Sequence, residues 1–341
     1  MRLILHVGMH KTGSTSFQTA LRAAAGPLRA AGWGIAINPP ALMVRNPNTF
    51  SPSWLPSVLE LGARRGLRAV LISAEAISTF SAEQMRRAFG DVAAREIKVV
   101  VCFRHWTGFL PSRWKQNCVR RDAQDFPSYL ASLEREGERH VDLAFERVIE
   151  HVAGLGNAEL AVVSYDNAVL EGNLLARLAA ACDLPESLVA RLAQHAERHN
   201  RSTKELFYDA CRLFNAVRAD LTGDPPNALF ESILQHGPVP RHYDHGRWVA
   251  QFLHSGGKSA RELVAALRRT QVEVRLRASD YADRLRTLEV ACRPWLFNPL
   301  GGRLFASVND RIARCSTLSA DGLPSSSRAE IERLLSVHLT H

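Results

Sequence analysis

Eighteen residues at the start of the chain, MRLILHVGMHKTGSTSFQ, leave few folds open to the rest of it. Residues 3–7 are a short apolar run, the mark of a buried parallel strand. Gly8-Met9-His10-Lys11-Thr12-Gly13-Ser14-Thr15 follows at once, and Phe17, Leu21 and Leu28 then recur at roughly helical spacing among alanines. Strand, glycine-bearing loop and helix in that order build a phosphate cradle. Two glycines let the backbone turn tightly, so that successive N–H groups and the helix N-terminus point at one anion. Lys11 adds a full positive charge. Ser14 and Thr15 can cap the helix or donate their hydroxyls to phosphate oxygens.

The loop is not a Walker A motif, which needs Gly-Lys followed by Ser or Thr. Here Gly13 is followed by Ser14, and the lysine stands two residues before the glycine. The pattern GxxKTGST behind a strand instead resembles the 5′-phosphosulfate loop of PAPS-dependent sulfotransferases (PAPS is 3′-phosphoadenosine-5′-phosphosulfate), of the bacterial and carbohydrate-sulfotransferase-like branch. That resemblance implies a P-loop-related α/β fold: a central parallel sheet flanked by helices.

A second constellation lies in VVVCFRHWTGFLPSRWKQ. Arg104 follows an apolar β-branched run, and Ser112 comes eight residues later, near the start of the next expected helix. A guanidinium and a hydroxyl at a strand's carboxyl end can converge on one phosphate. The sulfotransferase family has an arginine and a serine at this spacing, and the resemblance implies that Arg104 and Ser112 hold the 3′-phosphate. Glu75, after the run AVLIS, projects into the same crevice if that run is an adjacent strand. A carboxylate there can remove the acceptor's proton, and the resemblance makes Glu75 the base; the plainer role is a charge at a helix N-terminus. His10 and His105 are rival bases.

The resemblance covers residues 3–18, 69–76 and 97–118 best. VVSYDNAV and Asn200-Arg201-Ser202 resemble later elements of the family. Ser255-Gly256-Gly257-Lys258-Ser259 can bind an anion but reads better as an ordinary helix entry. His242 and His245 flank Tyr243-Asp244 without the companions a metal site needs, so no metal is expected. No GxSxG elbow supports a serine hydrolase.

The 341 residues can bury one large α/β core with an accessory portion. Apolar runs 69–73, 97–103 and 159–164 are further strands, with a brief one at 34–37, and helices alternate between them, which predicts a parallel sheet. Gly26-Pro27 should interrupt the first helix, and Ser81-Ala82-Glu83-Gln84 has the form of a capping box. A helix over 107–119 should carry Pro111 in its first turn. Residues 38–56, rich in Pro, Asn and Ser, read as a long loop. Beyond about residue 190 the strand signal fades, and 205–221 and 260–277 look helical. The expected division is a PAPS-binding core over 1–200 and a mostly helical portion over 201–341. That portion can pack on the core, cover the site or carry homodimer contacts.

A net charge of +9 favours an anionic partner. The arginines are spread along the chain rather than blocked, and no nucleic-acid partner is expected. The six cysteines form no CxxC pair and read as reduced core thiols. With no apolar run of membrane-spanning length and no signal peptide, a cytoplasmic location is the default expectation.

The resemblance thus implies sulfuryl transfer from PAPS to a hydroxyl or amine of a glycan, glycolipid or small metabolite, with PAP released. Lys11 and Glu75 would be catalytic. Lys11, Thr12, Gly13, Ser14, Thr15, Arg104 and Ser112 would bind the donor. Two other classes stay open: a P-loop kinase or NTPase, and a non-catalytic polyanion-binding protein.

Overall fold

The computed structural model describes residues 1–39, 54–90, 96–120, 122–137, 140–156, 158–194, 205–226, 228, 245–297, 300–306 and 308–339. The segments 40–53, 195–204 and 229–244 lie outside the described residues; with them go most of the expected long loop, the Asn200-Arg201-Ser202 element and the 242–244 part of the histidine pair.

Five parallel strands make the central sheet: β1 (Arg2–Gly8), β2 (Trp33–Ile37), β3 (Ala69–Ser73), β4 (Ile97–Phe103) and β5 (Ala158–Ser164). Their order is β2-β3-β1-β4-β5. Every residue of β3 and β4 is buried, which is why both read as unbroken apolar runs rather than as alternation. The chain fills one flank of β1 with β2 and β3, then crosses to the other flank with β4 and β5. Such a switch opens a crevice at the carboxyl ends of the strands on either side of it. β1 and β4 are in register from Leu3↔Ile97 to Gly8↔Cys102, so the segments leaving them start at the same level.

Helices flank this sheet, and beyond residue 205 the described chain is mostly helical, as expected. The first helix, α1 (Ser14–Ala23), stops three residues before Gly26, and a new helix, Ala25–Ala30, takes Pro27 in its first turn. The Ser81 capping box is present in both directions: Gln84 N–H donates to Ser81 Oγ at 3.2 Å, and Ser81 N–H to Gln84 Oε1 at 2.8 Å. Two expectations need correction. Helix Trp106–Arg120 begins early enough to put Pro111 inside it rather than in its first turn. The helix expected over 260–277 ends at Arg269, and Gln271–Leu276 is a strand, β6, paired antiparallel with β7 (Arg311–Ser316). In QVEVRL the valines and leucine alternate with polar residues, a period of two that neighbouring helix formers obscured.

The chain forms two compact units. The first comprises Met1–Phe109, Glu138–Asn200 and Ala278–Asn309. Its core sets Phe17, Leu21 and Leu28 against Ile4, Leu71, Val100 and Cys102. Its late segment is tied to β5: Phe297 N–H donates to Val162 C=O at 2.9 Å. Buried Asn167 donates to the carbonyls of Arg303 and Leu304 at 3.3 and 3.2 Å, and accepts from Ala306 N–H at 2.8 Å. The second unit comprises Leu110–Gly137, Arg201–Arg277 and Asp310–His341. There Asn215 donates to the carbonyls of Cys118 and Asp122 at 2.7 and 2.9 Å, satisfying the end of helix Trp106–Arg120. Ser255-Gly256-Gly257 is a junction between two helices. A Cβ on Gly256 would lie 2.6 Å from the Phe252 carbonyl oxygen, so glycine is there for packing. All six cysteines are free and buried. Among the described residues no helix is long and apolar enough to cross a membrane, and no cluster of metal-ligating side chains occurs.

Opposite the crevice, at the amino ends of the strands, buried Lys98 pairs with Asp183 at 2.7 Å and Glu159 at 3.0 Å. Arg2 reaches the same two carboxylates at 2.5 and 2.6 Å. Losing one carboxylate leaves Lys98 under-compensated. Asp183→Asn keeps a residue tolerant of the left-handed backbone here (φ 54°). It should cost about 2 kcal/mol, below the usual range for fully buried pairs because the carboxylates are partly solvated. A denaturant melt measures it, and a loss under about 0.5 kcal/mol would mark the pair as an ordinary surface one.

Candidate functional site

The loop leaving β1 has a backbone that few sequences adopt. Lys11 has φ 64° and Gly13 φ 82°, both in the left-handed region. Alternation into that region turns consecutive N–H groups to one side, the geometry of an anion nest. A non-glycine residue there carries strain, which collects at functional sites. Thr12 is buried and its hydroxyl donates to Met9 C=O at 2.6 Å, closing the turn from within. Gly13 is the N-cap of α1, no side chain caps that helix, and its first i→i−4 bond is Phe17 N–H to Gly13 C=O at 3.0 Å. The amides of the helix's first turn lie at the positive end of its dipole.

Ser14 and Thr15 therefore do not cap. Thr15 is exposed, whereas Ser14 is buried and its Oγ has no hydrogen-bond partner among the described residues. A Cβ on Gly8 would stand 2.0 Å from that oxygen, so only glycine lets the helix start approach the end of β1 this closely. A buried hydroxyl with no partner among the described residues, beside the first amides of a helix and a lysine, suits an anionic oxygen.

Arg104 follows β4 directly. Its Nη1 donates to Lys11 C=O at 3.2 Å, and its guanidinium lies over the Tyr165 ring, 4.8 Å from the centroid. The lysine-bearing turn and the arginine thus meet across the switch between β1 and β4, in the first unit. Ser112 stands within helix Trp106–Arg120, in the part of it that belongs to the second unit.

Glu75 comes just after β3, at the first position of a short 3-10 turn, Glu75–Thr79. Its Oε2 lies 3.0 Å from His10 Nδ1, and both side chains are largely buried. Two groups weighed as rival bases are therefore a hydrogen-bonded pair, one from the phosphate-type loop and one from the neighbouring strand end. His105 is of another kind. It is buried among the rings of Trp106, Tyr281 and Phe305, its Nδ1 is 2.9 Å from Thr107 Oγ1, and its N–H donates to Asp166 at 2.7 Å. It braces the start of the helix after β4.

Sequence reasoning passed over four polar residues beneath this site: His6, Gln18, Asn38 and Ser73. His6 Nδ1 is 2.8 Å from Ser73 Oγ. Gln18 Nε2 lies 3.2 Å from the same oxygen and 3.4 Å from Ser73 C=O. Asn38 Nδ2 donates to Gln18 Oε1 at 3.1 Å. Burial pushes the His6 imidazole down to about 4, with the Glu75 carboxylate acting weakly the other way. The available signal was a histidine inside the run LILHV and a glutamine on the apolar face of α1, both polar where the pattern demands apolar.

No protein-family model matches this sequence, and no curated protein matches it. Among solved structures, a sulfotransferase from Alicyclobacillus acidocaldarius is similar over 65% of this chain and 95% of that one, at 14% identity and a TM-score of 0.39. That overlap is too slight to carry fold or activity from one chain to the other.

Proposed function

We propose that this chain is a sulfotransferase that moves a sulfuryl group from PAPS to a hydroxyl or amine of an acceptor, leaving PAP. The observation that carries the reading is the meeting of the Lys11 turn and the Arg104 guanidinium, 3.2 Å apart at their nearest polar atoms, at the tips of adjacent strands. One nucleotide with anionic groups at both ends of its ribose can lie across the two. The amides of Lys11 to Thr15 and the Ser14 hydroxyl would take the 5′-phosphosulfate. Arg104 would take the 3′-phosphate; Ser112 joins it on the strength of spacing alone.

In the reaction the acceptor oxygen or nitrogen attacks sulfur in line. The bond from sulfur to the bridging oxygen breaks, and its electron pair goes to the 5′-phosphate of PAP. Lys11 neutralises the charge that grows on that oxygen. The His10–Glu75 pair takes the acceptor's proton, with Glu75 as the base. Positioning and preorganised charge supply most of the acceleration. A glycan, glycolipid or small metabolite are the proposed acceptor classes, and the net charge of +9 suits an acidic one. The reading places the protein in the cytoplasm, as a monomer or homodimer.

Calorimetric titration with PAP, ATP and a heparin-like chain tests this. PAP should bind at least tenfold tighter than ATP, which has no 3′-phosphate, and Arg104→Ala should shrink that gap. Equal or tighter binding of ATP would favour a kinase or NTPase. Binding only of the polyanion, steeply salt-dependent and indifferent to Lys11, would leave a non-catalytic role. Labelled PAPS supplied to pooled acceptors then identifies the product.

A further inference from the structure

The polar residues beneath the site form one connected chain of hydrogen bonds. Ser73 C=O can only accept, so the Gln18 atom 3.4 Å from it is the amide nitrogen. That nitrogen also lies 3.2 Å from Ser73 Oγ and 3.4 Å from Asn38 Oδ1, and the Gln18 oxygen accepts from Asn38 Nδ2 at 3.1 Å. Ser73 Oγ can give its proton to His6 Nδ1, 2.8 Å away. In that arrangement His6 accepts on Nδ1 and carries its own proton on Nε2. Nε2 is buried and has no hydrogen-bond partner among the described residues. A buried N–H without an acceptor is costly, and such groups in a native fold want an explanation.

The backbone says which group it serves. His6 and Ser73 are register partners on neighbouring parallel strands, so their side chains share one face of the sheet. Ala74 stays extended (φ −147°, ψ 119°), which returns Glu75 to the face of Ser73. Glu75 is also the charged group that acts on the His6 ring. His10, from the loop, also meets that carboxylate, at 3.0 Å.

We propose that Gln18, Ser73 and His6 are positioning residues for Glu75: the chain of hydrogen bonds locks His6 as its Nε2–H tautomer and presents that N–H, through one buried water, to the Glu75 carboxylate. This rests on the reading of Glu75 as the base. The relay holds the carboxylate from below while His10 holds it from the loop, so the base keeps its place when the acceptor enters.

The test is a double-mutant cycle with a spectroscopic arm. Ser73→Ala should lower kcat about tenfold, leave the Kd for PAP within twofold, and move the acid limb of the kcat–pH profile upward, because a donor that favoured the ionised carboxylate has been disconnected. In a Glu75→Gln background the same change should have no further effect on kcat. Gln18→Met, close in volume, should repeat the pattern if Ser73→Ala folds poorly. An equal loss of kcat in both backgrounds, or a weakened Kd for PAP, would make the cluster a structural prop and overturn the proposal. The second arm needs no activity. In ¹⁵N-histidine NMR of the full chain, His6 should appear as the Nε2–H tautomer, and Glu75→Gln should shift its Nε2 resonance. An Nδ1–H tautomer, or a resonance indifferent to Glu75, overturns the relay even if PAPS is the donor. A correct NMR signature without PAP binding would instead leave the relay standing and remove the sulfotransferase reading.

Discussion

Replacing Lys11 with alanine should lower kcat by about a hundredfold or more, with a much smaller change in the Kd for PAP. The asymmetry follows from where the residue sits. On the proposed reading the turn would hold anions largely through backbone amides, whose directions are set by φ 64° at position 11 and φ 82° at position 13. Alanine keeps a Cβ and so nearly the same backbone cost, and the nest should survive. What goes is the ammonium that, in the proposed reaction, would meet charge appearing on the bridging oxygen only as sulfur departs, an interaction made in the transition state and scarcely in the ground state. Lys11→Arg, which keeps the charge but moves it outward, should recover part of the loss. Steady-state rates and PAP titration of the three proteins measure this. A near-normal kcat for Lys11→Ala would strip the residue of its role.

The second large effect is expected at Glu75. Glu75→Gln retains shape and the capacity to accept from His10, now 3.0 Å away, but a neutral amide cannot take a proton. The loss should be about a hundredfold to ten-thousandfold in kcat for acceptors with an alcohol. Acceptors whose nucleophile is already unprotonated should lose far less, since they need no base. The comparison of a hydroxyl and an amine acceptor at high pH therefore separates a lost base from a disturbed fold. Equal losses on both would assign Glu75 a structural place, holding the loop through His10.

The central sheet was legible because burial on both faces writes itself as contiguous apolar residues. The strands at 69–73 and 97–103 were bounded correctly by that signal alone. The loop was legible through Gly8 and Gly13, each needed for a stated reason: the close approach of Ser14 and a left-handed turn. Spacing placed Arg104 at a strand end, yet which strand lay beside β1 depended on the topological switch, a non-local fact absent from any window of sequence. His10 and Glu75 were weighed as competitors for the same reason. They are 65 residues apart in the chain and only the pairing of β1 with β3 joins them. β6 was missed because its partner begins at Arg311, and a strand whose other half is so distant has little local pattern beyond three alternating apolar side chains.

The interleaving of the two units has a consequence for the order of synthesis. Asn167 emerges from the ribosome well before residues 303–306, whose backbone satisfies its amide, and β6 before β7. Neither unit can close while the chain is growing past its middle. Until residues 303–316 are made, Asn167 lacks the backbone that satisfies it and β6 lacks its pairing strand, so a stop before residue 303 removes a tie from each unit at once.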